Sequence, residues 1–130
     1  MLKIYMAGPL STGTYTDVTR NVRNAIDHAD SIMLMGGAPY LPHLTHFWNL
    51  FHPHSWEEWM ALDHHYLLTC DAVFRIAGES KGADLEVSWA KAAGMPVYYK
   101  MEEVLHAIRH PKLTKVMPEQ TPPIPEIVPT

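Results

Sequence analysis

At 130 residues, 47% of them apolar, the chain is the size of one ordinary domain that buries a single core. Its net charge of -4, with acidic and basic residues interspersed, argues against general attraction to a nucleic acid polymer or an anionic membrane and leaves room only for a local phosphate pocket. The lone Cys70 has no internal disulfide partner, no apolar stretch approaches the ~20 residues that cross a bilayer, and residues 1–10 read as a strand rather than a basic leader. A cytoplasmic protein without a membrane partner is expected.

Residues 2–7 form a short apolar run ending at Gly8-Pro9, as a buried first strand does. A loop follows over 8–16. From Asp17 the apolar positions recur with helical spacing, Val18, Val22, Ala25, Ile26, Ala29, Ile32 and Met33, with Thr16 or Asp17 as the cap. Gly36-Gly37 ends that helix, and residues 38–42 suit a second strand. Between Pro42 and Ser55, four histidines interleave with Phe47, Trp48, Phe51 and a further proline, a composition that predicts an irregular lid or pocket wall. Ser55 then caps a helix carrying Trp56, Trp59, Met60, Leu62, Tyr66, Leu67 and Cys70, which is expected to end at Asp71. A third strand at 72–77, a polar loop at 78–82, a helix at 83–93 closed by Gly94, a fourth strand at 96–100 and a helix at 101–109 complete the pattern. This alternation predicts one α/β domain over residues 1–110. It should be a doubly wound, flavodoxin-like or Rossmann-like parallel sheet of four to five strands with helices on both faces, its function at the strand carboxyl ends. Residues 111–130, with five prolines from Pro118 onward, read as an extended tail.

Three carboxylates stand out. Glu86 follows a glycine-containing loop and is expected in the first turn of its helix, near the end of the third strand. A carboxylate there either complements the helix dipole or attacks the anomeric carbon of a sugar. Asp63 falls beside the buried stripe of its helix, a poor place for an unpaired charge. It is either an acid/base group facing substrate or a helix residue that is exposed or paired with His64 or Lys91. Asp71, at a helix-to-strand junction, reads as a backbone-orienting residue.

Gly8, Ser11 and Thr12 in the first loop, and Ser80, Lys81 and Gly82 ahead of Glu86, offer hydroxyls and amides that can hold the ends of a nucleotide. Arg75, in an apolar strand, is either a phosphate partner or an edge-strand residue. Phe47 and Trp48, with Trp56, either stack on a planar base whose edge His43 or His46 bonds, or pack under the long segment or in a subunit interface, as Trp56 and Trp59 at helical spacing also can. The nine histidines lack any familiar ligand spacing, so neither a metal nor another cofactor is expected.

The order of these motifs resembles the nucleoside 2-deoxyribosyltransferase and 2'-deoxynucleoside 5'-phosphate N-hydrolase superfamily over roughly residues 3–100. The resemblance rests on Tyr5 in the opening strand, on Asp63 eight positions before Asp71, and on Gly82 to Ala90 followed by Gly94 and an apolar strand. It implies that Glu86 is the nucleophile, Asp63 the acid/base or sugar-orienting group, and Tyr5 the residue that steers Glu86. Ser80, six positions before Glu86, stands where nucleotide hydrolases of that superfamily bind phosphate. The implied substrate is thus a 2'-deoxyribonucleoside 5'-monophosphate, hydrolysed or used in deoxyribosyl transfer through a glycosyl-enzyme ester. The first loop departs from the pattern: Pro9 replaces a serine, and no arginine follows, so phosphate binding would fall to Ser11, Thr12, Arg75 or Lys81. The resemblance also implies a homodimer or higher homo-oligomer. Two alternatives remain open from sequence, a non-catalytic nucleotide-binding or sensing module and a glycohydrolase of NAD-like dinucleotides.

Overall fold

The computed structural model describes residues 1–110; the proline-rich tail lies outside the described residues. Four strands, β1 (Lys3–Ala7), β2 (Ala38–Tyr40), β3 (Ala72–Arg75) and β4 (Val97–Tyr98), form one all-parallel sheet in the order β2-β1-β3-β4. The helices are α1 (Tyr15–Leu34), α2 (Thr45–Phe51), α3 (Trp56–Leu67), α4 (Lys81–Ala92) and α5 (Met101–Arg109), with a 3-10 turn at Pro42–Leu44. This is the doubly wound α/β architecture expected from the alternation of elements, realised with four strands.

Alternation along the strands sorts the core into two layers. Ile4 and Met6 of β1, with Ala72 and Phe74 of β3, pack beside Ala25, Ala29 and Ile32 of α1 and Val104 of α5. Tyr5, Ala7 and Val73 face the opposite way, onto Met60 and Leu67 of α3 and Ala83, Trp89 and Ala90 of α4. The sheet is therefore covered on both faces, and each fully buried aliphatic side chain contributes about 1.5–3 kcal/mol through its removal from water. The chain leaves β1 toward β2 and leaves β3 toward β4, so the connections diverge between the central pair. Their carboxyl ends open a crevice there.

Several boundaries differ from the sequence expectation. Thr14, rather than Thr16 or Asp17, caps α1, and Asp17 is the third helical residue of a capping box: its carboxylate accepts from the Thr14 amide at 2.9 Å. The expected loop between Pro42 and Ser55 is mostly helical. Pro42 begins the 3-10 turn and Pro53 follows α2, so the prolines bracket the helix without interrupting it. Ser55 caps α3 as expected, with a reciprocal Glu58 bond, an arrangement worth about 1 kcal/mol. α3 stops at Leu67 rather than Asp71, because residues 68–71 form turns that bring Asp71 to β1. There Asp71 Oδ2 accepts from the Lys3 amide and the Asp71 amide donates to the Lys3 carbonyl, each at 2.8 Å, bearing out its backbone-orienting role. Gly94, with φ +71°, closes α4 in the left-handed region.

Candidate active site

Ser80 caps α4: its Oγ accepts from the Ala83 amide at 3.1 Å, and the helix begins at Lys81, two residues earlier than expected. Glu86 consequently lies in the second turn, not the first, and the helix terminus is not the main influence on its charge. Glu86 is 5% exposed, and burial pushes its carboxyl up to about 8. The Tyr5 hydroxyl pulls in the opposite direction by donating to Glu86 Oε2, while the nearby Asp63 pushes the carboxyl further up. Tyr5 is fully buried in the centre of the sheet, and its ring stacks on Tyr40 at 5.6 Å, which in turn stacks on Tyr66 at 4.9 Å. A central strand and a rigid aromatic column thus fix the hydroxyl that meets Glu86.

Asp63 projects from α3 into the same region. It is 7% exposed, its Oδ1 has no hydrogen-bond partner among the described residues, and burial pushes it up to about 7. Neither the exposed position nor a pairing with His64 or Lys91 occurs. His64 instead turns its buried ring edge-on to Trp89, centroids 4.4 Å apart. Two buried carboxyls, pushed by burial up to about 7 and about 8, thus line one cavity.

The cavity, about 350 Å³, lies at the carboxyl ends of β1 and β3. Gly8, Ser11 and Thr12 line one part, and Ser80, Lys81 and Gly82 another. Gly8 has to be glycine, because a Cβ there would lie 2.8 Å from that of Ile76 in the adjacent loop. Lys81 Nζ sits 5.8 Å from the centroid of the Trp56 ring, which also lines the cavity. The start of α4, with Ser80 and Lys81, stands at this part of the cavity.

His43 and His46 line the cavity as expected. His43 is buried, with Nε2 at 3.2 Å from the Gly8 carbonyl oxygen, and burial lowers its pKa. Its imidazole is accordingly a neutral brace for the first loop. Phe47 and Trp48 do not reach this cavity. Both are half-exposed, and Trp48 borders a second concavity with Tyr40, Leu62 and Tyr66. Arg75 is not on an edge strand, since β3 lies between β1 and β4. Nor does it line the cavity: its guanidinium donates to the carbonyls of Ile76 and Gly78 and to the Asp84 carboxylate, pinning the loop that precedes α4.

Two polar wall residues, Thr45 and Asn49, were not singled out by the sequence reading, and His54, placed by it only in the general pocket-wall segment, lines the cavity too. Asn49 Oδ1 accepts from the His54 amide at 2.9 Å and from the Trp59 indole N–H at 2.8 Å, which fastens α2 to α3. The available signal was the spacing of Thr45, His46 and Asn49 along one helix face, invisible once the segment is read as a loop.

Among the described residues there is no cluster of three or more His, Cys, Asp or Glu side chains able to hold a metal, and no helix is long and apolar enough to cross a membrane. No curated protein matches the chain. A family model described as "Domain of unknown function (DUF7768)" matches residues 2–100, and the chain therefore belongs to that family.

Proposed function

We propose that the cavity cleaves the N-glycosidic bond of a 2'-deoxyribonucleoside 5'-monophosphate, with Glu86 as nucleophile, as in the deoxyribosyltransferase and nucleotide N-hydrolase superfamily the chain resembles. The observation that carries this reading is the Tyr5 hydroxyl bonded to the buried Glu86, with the unpartnered Asp63 on the same cavity. The Glu86 carboxylate attacks C1', the C1'–N bond breaks, and its electron pair leaves with the base, which takes the proton of the Asp63 carboxyl. The Asp63 carboxylate then removes a proton from water, the hydroxide oxygen bonds to C1', and the ester releases Glu86 and 2-deoxyribose 5-phosphate. In the transfer variant a second base takes the place of water. Tyr5 favours the ionised form of Glu86; with Asp63 pushed up to about 7 and Glu86 to about 8, the reactive form, Glu86 ionised and Asp63 protonated, is the minor of the two one-proton forms.

The hydroxyls of Ser11 and Thr12 in one part of the cavity and Ser80 with Lys81 in another support a phosphate-bearing substrate, and about 350 Å³ suits a mononucleotide better than a dinucleotide. Chromatography of mixtures containing deoxynucleosides, their 5'-monophosphates, ribonucleotides and NAD is expected to show free base only with deoxynucleotides. Release from none of them, with or without an acceptor base, would leave a binding module as the better reading.

The same reading includes a homo-oligomer. α2 buries none of its residues, and Phe47, Trp48, Leu50 and Phe51 are each at least half exposed, an apolar surface that a second copy would cover. Sedimentation equilibrium should return a multiple of 14.8 kDa; a monomer at micromolar concentration would remove this part of the proposal.

A further inference from the structure

α2 turns its polar stripe to the cavity and its apolar residues elsewhere. Thr45, His46 and Asn49 line the cavity, whereas Phe47, Leu50 and Phe51 are exposed away from it. A helix that offers its aromatic side to solvent and reserves a hydroxyl, an imidazole and an amide for a cavity is organised around a polar occupant.

Two of these groups have fixed hydrogen-bonding character. Both partners of Asn49 Oδ1, a peptide N–H and an indole N–H, are obligate donors, so a flipped amide would set N–H against N–H. The oxygen is therefore held toward α3. Nδ2, on the other side of the amide, carries two hydrogens and makes no hydrogen bond among the described residues. Asn49 is thus a pure donor at the cavity wall. Thr45 is its complement: its hydroxyl hydrogen is spent on the Pro42 carbonyl at 2.7 Å, leaving Oγ1 with only lone pairs to offer. The two residues are i,i+4 neighbours, with Cβ atoms about 5–6 Å apart on one helix face, and both line the cavity.

We propose that Asn49 and Thr45 determine base specificity by reading a lactam edge, the adjacent C=O and N–H of a 6-oxopurine or a 4-oxopyrimidine. Asn49 Nδ2 donates to the carbonyl and Thr45 Oγ1 accepts from the ring N–H. A 6-aminopurine or 4-aminopyrimidine presents the reverse pattern, an amine toward a donor and a ring nitrogen toward lone pairs, and is rejected on both counts. This rests on the nucleotide-cleaving reading above and narrows its substrate class.

The test is calorimetric binding to the Glu86→Gln protein, which holds a nucleotide without turning it over. The probes are two matched pairs, 2'-deoxyinosine against 2'-deoxyadenosine 5'-monophosphate, and 2'-deoxyuridine against 2'-deoxycytidine 5'-monophosphate. The oxo member of at least one pair should bind about tenfold or more tightly. Adding Asn49→Asp keeps the oxygen that fastens α2 to α3 and replaces the donor by an acceptor, so the preference should collapse or invert while Tm is retained. The ratio within a pair is the readout, because the added carboxylate weakens both anionic members alike. Thr45→Val, which leaves the Asn49 bonds in place, should reduce the same ratio about tenfold. Equal binding within both pairs, or a ratio unchanged by Asn49→Asp, overturns this inference and leaves the glycosidase reading standing. Binding of none of the four nucleotides overturns both.

Discussion

Glu86→Gln should abolish base release, by at least ~10⁴-fold in kcat, and should also make the protein more heat-stable at pH 9. The first effect follows from replacing the carboxylate that bonds to C1' by a neutral amide, which is too weak a nucleophile to form the ester. The second follows from linkage. Burial raises the Glu86 carboxyl from its ordinary 4.5 to about 8, so between those values the folded protein binds a proton that the unfolded chain has already lost. The stability this contributes is fully present below about 4.5 and is lost as pH rises through about 8. Above that, a buried carboxylate is carried at a cost on the order of 3–5 kcal/mol. Glutamine fills the same space, accepts from Tyr5 and never ionises. The Tm difference between variant and native protein should therefore widen from pH 6 to pH 9. A constant difference would mean that Glu86 titrates as an ordinary carboxyl, and retained turnover would remove it as nucleophile.

Tyr5→Phe should lower kcat/KM about 10²-fold at pH 7 with little change in folding. The ring survives, and with it the stacking on Tyr40; only the hydroxyl that donates to Glu86 Oε2 is lost. Because that bond opposes the effect of burial, its removal drives the Glu86 carboxyl higher and thins the population with Glu86 ionised and Asp63 protonated. In native protein the pair should hold a single proton between about 7 and about 8, giving a bell-shaped pH profile with its maximum in that range. Rate measurements from pH 5 to 10 should show the limb assigned to Glu86 ionisation displaced to higher pH in Tyr5→Phe. An unchanged profile, or a loss expressed wholly in KM, would make Tyr5 a packing residue.

The elements that could be read from sequence are those in which one local signal and one long-range signal coincide. β1 alternates between the two core layers, and α3 opens with Ser55 and Glu58 spaced for a capping box. α5 runs over the expected residues because Met101, Val104, Leu105 and Ile108 keep the helical period. The superfamily resemblance is what groups Tyr5, Asp63 and Glu86; from the residues alone only Asp63 reads as a charge beside a buried stripe, and all three prove buried. The misreadings also have physical causes. α2 is only seven residues long, too short for a 3.6-residue period to declare itself, and its apolar residues face outward. Arg75 was separable from a phosphate ligand only by knowing that Asp84, nine residues on, comes back over the loop to meet it. The start of α4 was displaced by two residues because Lys81 and Gly82 look like loop; Ser80 decides the boundary through a bond to the Ala83 amide.

α2 buries none of its residues, is bracketed by Pro42 and Pro53, and is tied to α3 through the Asn49 amide oxygen and the edge-on contact of Trp48 with Trp59. The groups that would break a bond and the groups that would choose which molecule to break it in thus belong to separate parts of the fold. Drift along α2 would leave Glu86, Asp63 and Tyr5 undisturbed, since those three are anchored in the sheet and in the layer of α3 and α4. Such a division lets a lineage exchange its recognition segment as a cassette, acquiring new preferences without passing through an unfolded or chemically dead intermediate.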